Sequence, residues 1–554
     1  MKKPAVLFAT LVVVAIISFL WLRGQMGVTD PARLVPSGTV VFASFPDLPR
    51  AIMRWPKTTL AAIGGEPEVR AFLEKPLAAL EARPAKKETQ DLLLALKPGR
   101  IFLSAAKGAD GRVSPLIGVQ FWGGRGGFEK AVARLRAQIY GDAAPEQKRE
   151  SINGVEVIST TGKNGETIFS AETARWGFLT NNRETLADAL ARAASKVPGP
   201  SLADDPDFAR CMARLLPEPD FVGFARPGPL LDGVLEFGAT LGASPDPAQI
   251  APLRQAAAVG FCLKMDGTDL RDAVFVLRPG APDAGKLDHF GMNLTSPSTL
   301  AYFNILVPPS RIKSVASHPA MAPVAERNPA IAAILEKAAT VLGNQVAVVA
   351  GWPEGGMLPE GVLAVLLADP AAAEPLLMEV GSLLPEMTVN ESAGVKYFGF
   401  PSLRSPFLDP TLAVSGDMLL AANSPASIAG ALENAGAGAP LPTATSFAPA
   451  LAAYGQANEA FGFVDLKGVF SRAFPMLRGV ISFGVSLVPG ASDIVDPTKL
   501  PQTETIAKHL TPLVYSQSRF DDGYLIESSG PITMNQAALL IGGGAGGLLG
   551  PRMP

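Results

Sequence analysis

Phe221-Val222-Gly223-Phe224-Ala225 returns as Phe461-Gly462-Phe463-Val464, with Gly223-Phe224 and Gly462-Phe463 standing 239 positions apart. Phe208 and Phe447 are separated by the same 239 positions, Gly154 and Gly394 by 240, Leu190 and Leu432 by 242, and Gly99 and Gly343 by 244. An offset that drifts by so little predicts one domain written twice with small loop insertions, because chance matches would scatter. The second copy need not be a perfect echo: Cys211 in the first falls opposite Ala450 in the second.

Local patterns give each copy its elements. Thr39-Val40-Val41-Phe42-Ala43-Ser44-Phe45 is β-branched and aromatic and is closed by Pro46-Asp47, which predicts a strand and then a turn into a helix. Thr299 to Ile305, closed by Pro308-Pro309, is its counterpart. Strands are expected at Arg100 to Ala105 and Leu116 to Trp122, flanking Asp110-Gly111. Asn164-Gly165, Asp266-Gly267 and Asp522-Gly523 are further hairpin dipeptides, and strands joined so tightly must run antiparallel. Helical spacing occurs at Val69 to Leu80, Phe128 to Ile139, Arg183 to Lys196 and Phe208 to Leu216, without the regular strand-helix alternation of a doubly wound sheet. The fold class expected is α+β: a tandem duplication, each copy a largely antiparallel sheet with helices packed on one face, behind an N-terminal transmembrane helix. The boundaries read as 1–33 for a signal anchor and linker, 34–285 and 286–533 for the two repeats, and 534–554 for a Gly-rich apolar tail.

Pro4 to Leu22 carries no charge, follows Lys2-Lys3 and precedes Arg23. At 1.5 Å per residue that run reaches roughly 28 Å, about the hydrocarbon thickness of a bilayer. No small-x-small cleavage site follows, so an uncleaved anchor is favoured over a cleaved signal peptide. With the lysines inside, the chain is expected at the inner (cytoplasmic) membrane as a single-pass protein, its bulk extracytoplasmic or periplasmic. The tail from Ala537 to Gly550 is uncharged, with glycines at small-xxx-small spacing, but is too short to span alone.

Lys+Arg 48 against Asp+Glu 51 leaves a formal charge of −3, and there is no long basic tract, so nucleic acid is not an expected partner. Two cysteines, Cys211 and Cys262, and three scattered histidines offer no metal or cofactor framework. The cysteines read either as one bridge private to the first copy or as two buried thiols. Gly280-Ala281-Pro282-Asp283-Ala284-Gly285-Lys286-Leu287 nearly spells a phosphate loop, yet Leu287 stands where magnesium needs a hydroxyl, and Gly542-x-Gly544-x-x-Gly547 has no βαβ unit around it. No nucleotide is expected. Ser310-Arg311-Ile312-Lys313 matches Ser-x-x-Lys without a companion Lys-Thr-Gly. His509 lies in a short helix begun after Pro501, where Glu504 and Lys508 have the spacing of a surface pair. No catalytic, cofactor-binding or metal residue is assigned.

Pro36-Ser37-Gly38-Thr39 with Pro46-Asp47-Leu48, the Trp55 to Leu73 segment, and Leu500-Pro501-x-x-Glu504-x-x-x-Lys508-His509-Leu510 with Asp521-Asp522-Gly523 resemble a group of uncharacterised exported bacterial proteins, a domain of unknown function. The resemblance implies a bacterial envelope setting and no activity. The expectation is a non-enzymatic membrane-anchored protein presenting a binding or scaffolding surface to an envelope protein, lipid or polymer. A degenerate or novel extracytoplasmic hydrolase, using His509 with a carboxylate or Ser310 with Lys313, and a carrier of apolar ligands are the alternatives.

Overall fold

A computed structural model of the chain describes residues 30–81, 97–108, 113–122, 127–140, 146–162, 165–196, 199–232, 254–280, 285–307, 329–353, 356, 358–383, 386–405, 408–437, 441, 446–487, 490 and 495–537. Pro4 to Leu22, Asp110-Gly111, Asn164, Ser310 to Lys313 and nearly all of the Gly-rich tail lie outside them. The fold is α+β, with mixed helices and extensive antiparallel sheet. Two compact units are present. One draws its described residues from Met1–Pro56, Pro76–Met265 and Ala273–Pro279, the other from Lys57–Lys75, Asp266–Asp272 and Gly280–Pro554.

In the first unit, β1 (Thr39–Phe45) ends at Asp47, whose Oδ1 accepts the Arg50 N–H at 3.0 Å and so caps α1 (Leu48–Arg54). α2 (Thr59–Gly65) and α3 (Pro67–Glu81) follow; residues 57–75 belong to the second unit. Then come β2 (Pro98–Lys107), β3 (Val113–Phe121), α4 (Gly127–Tyr140), β4 (Glu146–Ile152), β5 (Val155–Thr161), β6 (Thr167–Glu172), β7 (Trp176–Thr180), α5 (Arg183–Ala193), α6 (Pro206–Arg214), β8 (Phe221–Ala225), β9 (Ala258–Asp266) and β10 (Asp269–Leu277), of which residues 266–272 belong to the second unit. Antiparallel pairing sets the order β4-β5-β6-β7-β3-β2-β1-β8-β9. β4 and β5 meet at Asn153-Gly154, both at positive φ (55° and 81°), the backbone that a tight two-residue hairpin demands. Asp220, 1% exposed on its side chain, accepts Arg54 Nη1 and the Met265 N–H, so this buried charge is paired and hydrogen-bonded.

The second unit contains β11 (Ala301–Leu306), α7 (Pro329–Val341), β12 (Leu342–Gly351), β13 (Glu360–Leu367), α8 (Pro370–Leu383), β14 (Thr388–Ser392), β15 (Val395–Gly399), β16 (Thr411–Ser415), β17 (Met418–Ala422), α9 (Pro425–Ala437), α10 (Ala448–Tyr454), β18 (Ala460–Val464), α11 (Leu466–Leu487), α12 (Thr503–Ala507), β19 (Leu513–Phe520) and β20 (Gly523–Gly530). Its order is β14-β15-β16-β17-β13-β12-β11-β18-β19-β20. Ala393-Gly394 closes the β14–β15 hairpin at φ 52° and 76°. A non-glycine residue pays for that conformation, and here Ala393 takes the place Asn153 holds in the first unit.

Each core is organised by three aromatic rings. Phe42 on β1 sits directly across from Phe224 on β8, and Phe208 on α6 closes on both, edge-on to Phe42 at 6.0 Å and to Phe224 at 5.3 Å between centroids. In the second unit Tyr302 on β11 faces Phe463 on β18, with Phe447, immediately before α10, edge-on at 6.3 Å and 4.9 Å. Edge-to-face pairs of this kind add about 0.5–1.5 kcal/mol each beyond the area they bury. Gly118 on β3 makes room for the Phe102 ring, since a Cβ there would lie 2.0 Å from that ring. Phe102 is fully buried and has nowhere to retreat. Gly118→Ala is therefore expected to cost about 1–3 kcal/mol in urea unfolding, and a loss under about 0.5 kcal/mol would contradict this packing.

Candidate functional site

The most regular surface feature is the open face of each sheet. β3 alternates exposed and buried residues, so the face turned away from the aromatic rings is left to solvent. Along it the register aligns Gly223, Ala43, Leu103, Ile117 and Leu179 in one row of the first unit. In the second unit the register aligns Gly462, Phe303, Val348, Leu363 and Ala421. Leu103, Ile117, Val348 and Leu363 are all exposed. Two cross-strand apolar pairs on open faces, in matching strand positions, are unusual for a surface whose other role would be solvation.

His509 comes to rest against a carboxylate. Glu66, between α2 and α3, accepts His509 Nε2 at 2.6 Å and Lys508 Nζ at 2.8 Å on one oxygen. Glu68 accepts the Gln502 N–H at 2.7 Å and Thr505 Oγ1 at 2.9 Å at the start of α12. Lys499 reaches Glu74 at 2.8 Å. Lys508 thus pairs with Glu66, not with Glu504 as the helical spacing predicts, because a partner brought by the fold is nearer than the next turn. Lys508 first, and then His509, hold the Glu66 carboxyl below its ordinary 4.5. Glu68 is lowered chiefly by the Gln502 N–H. The arrangement is a clasp that fastens residues 57–75 to 496–509. The His509 ring meets Glu66 Oε1, and Thr59 Oγ1 donates to the His509 carbonyl at 3.3 Å.

Cavities occur elsewhere. One of about 210 Å³ is lined by Ser296, Thr299, Trp352, Glu360, Ser427 and Asn434. Another, about 570 Å³, is lined by Tyr397, Phe400, Arg404, Asp409 and Thr411, and a third of about 550 Å³ by Glu129, Arg149, Glu156, Ser170 and Glu172. No histidine or cysteine lines any of the three. Cys211 on α6 and Cys262 on β9 are buried thiols. Leu287, the position a phosphate loop would give to a hydroxyl, is part of the second unit's core. Among the described residues no group of His, Cys, Asp and Glu is placed to hold a metal ion, and no helix is long and apolar enough to cross a membrane.

No protein-family model and no curated protein matches the chain. Solved structures that it is similar to include three crystal forms of TP0453. Form III has a TM-score of 0.26 at 11% identity over 46% of this chain and 82% of that one, and form IV has 0.26 at 10% over 45% and 80%. Form I has 0.24 at 11% over 46% and 80%. Scores of this size do not establish a shared fold.

One buried carboxyl gives the second unit a pH signature. Burial pushes Asp272 up to about 6, although Thr533 Oγ1 and, at 2.8 Å, Asn535 Nδ2 both donate to it. Folded chain then takes up a proton that unfolded chain, with an ordinary 3.8, does not. Stability is gained as pH falls through about 6. Glu66 works oppositely: its contribution is present above 4.5 and is lost as pH falls through its lower folded value. The thermal midpoint is expected to rise from neutral pH to about 5 and to fall on further acidification. Asp272→Asn should lessen the rise, to which Asp269 and Glu527, both raised by burial, add, and Glu66→Gln should soften the fall; a wild-type midpoint flat through about 6 would contradict the burial of Asp272.

Proposed function

We propose that the chain is a non-enzymatic, membrane-anchored extracytoplasmic protein that presents paired sheet faces as a binding surface in the cell envelope. The observation that carries this reading is the pair of exposed apolar rows, Leu103 with Ile117 and Val348 with Leu363, on sheets of the same strand order. Apolar side chains on an open sheet face lose water when a partner covers them, and this is the common driving force of association. Two such rows on one chain would engage a partner at two points and gain from effective concentration.

The reading includes a tandem duplication, with each repeat closed by the same three-ring arrangement and the same positive-φ hairpin. It also includes the N-terminal anchor, supported by the uncharged run Pro4 to Leu22 after two lysines. The hydrolase alternative has a carboxylate beside His509, as it requires, but the cavities described above lie at other residues.

The test is crosslinking in intact cells followed by affinity capture, against a control carrying only the anchor. Wild type is expected to enrich a defined envelope component, and the exposed-row variant Leu103→Lys/Ile117→Lys/Val348→Lys/Leu363→Lys to lose it. Each change alters stability by only about 0.5 kcal/mol, because the positions are exposed. Wild type that enriches nothing over the control, or a chain that fractionates with the soluble cytoplasm, would overturn the reading.

A further inference from the structure

α11 is a surface of a different kind from the sheet faces. Its 22 residues, Leu-Lys-Gly-Val-Phe-Ser-Arg-Ala-Phe-Pro-Met-Leu-Arg-Gly-Val-Ile-Ser-Phe-Gly-Val-Ser-Leu, contain no acid. Phe470 and Phe474 stack at 4.6 Å, and Phe474 is buried. Beyond Pro475 one side of the helix is exposed. Val480 is 65% exposed, Phe483 66% and Leu487 63%, with Met476 and Leu477 exposed as well. At 100° per residue, Met476, Val480, Phe483 and Leu487 fall within an arc of about 60°. Next to that arc comes a sector of Arg472, Gly479, Ser482, Ser471 and Arg478.

Lys467, Arg472 and Arg478 form no ion pair with any described residue; Arg472 Nη1 bonds only to the Gly468 carbonyl of its own helix, at 3.2 Å. Arg472 borders the stripe, while Lys467 and Arg478 lie across the helix at the far edge of the polar sector; an acid-free helix with an apolar stripe on one side and cations in its polar sector has the composition of a helix lying in a bilayer interface. No described helix, α11 included, is long and apolar enough to span a bilayer.

We propose that the exposed face of α11 docks on an anionic lipid surface, with Met476, Val480, Phe483 and Leu487 entering the headgroup–acyl boundary and Lys467, Arg472 and Arg478 meeting lipid phosphates. The proposal goes beyond the sheet-face reading and needs neither the sheets' partner nor the N-terminal segment.

The experiment places an environment-sensitive fluorophore at Phe483→Cys in the full chain and, separately, at Lys148→Cys, an exposed position on β4. Cys211 and Cys262 are buried, so native-state labelling selects the new thiol. Each protein is mixed with vesicles of phosphatidylcholine alone or with about one third phosphatidylglycerol, some carrying a quencher in the acyl chains. The proposal predicts blue-shifted, quenched emission at 483 and none at 148. Replacing Arg472 and Arg478 by Ser in the 483-labelled chain should weaken anionic-vesicle binding at that site about fivefold per charge. Val480→Asp should abolish the quenching at 483 while leaving the melting midpoint unchanged. Three outcomes overturn the proposal: no quenching at 483, equal quenching with neutral and anionic vesicles, or a blue shift without lipid that grows with protein concentration, which would assign the face to a second copy. None of them touches the sheet-face reading, whose own test is the partner capture.

Discussion

Three rings closing on one another hold each unit together. In the first, Phe208 is the wedge that α6 drives against the Phe42–Phe224 pair, and in the second Phe447 meets Tyr302 and Phe463 in the same way. The strand carrying the first ring of each set lies between two neighbours, so the rings fix an interior strand of the sheet together with the strands paired on either side of it. Because the rings sit on one face, the other face is left bare. The apolar rows through Leu103 and Val348 follow from that one-sidedness.

Much of this was legible in the chain. The strand Thr39–Phe45 is found where its β-branched run places it, and the Phe128 to Ile139 spacing marks a helix that spans Gly127–Tyr140. The offset landmarks turn out to be partners within each unit, Phe208 in contact with Phe224 and Phe447 with Phe463. Local pattern and three-dimensional role agree there because large buried aromatics tolerate little drift. Asn153-Gly154 is a hairpin dipeptide as plain as Asn164-Gly165, although the repeat offset uses its glycine only as a landmark, whereas Ala393-Gly394 carries just the glycine of such a turn and Ala393 takes positive φ between the strands beside it.

Other features were out of reach for a physical reason. Glu66 and Glu68 lie more than 400 positions from the residues they hold, and nothing local in 57–75 announces a partner at His509. Lys508 shows the converse, a favourable helical spacing overridden by a nearer carboxylate. The α11 stripe was written plainly, as an acid-free amphipathic run from Leu466 to Leu487, but its meaning depends on exposure. The same apolar spacing in α6 puts Phe208 into the core. Periodicity says which residues share a face, and only the fold says whether that face is covered.

The claim that one three-ring arrangement organises both units is tested most directly by native-state hydrogen exchange on Phe208→Ala and Phe447→Ala. Removing either ring leaves a cavity of the kind that costs about 3–5 kcal/mol. The account predicts that Phe208→Ala speeds exchange throughout β1, β2 and β8, and that Phe447→Ala does the same in β11, β12 and β18. Loosening confined to α6 or α10, with those strands as protected as in the unaltered chain, would contradict it.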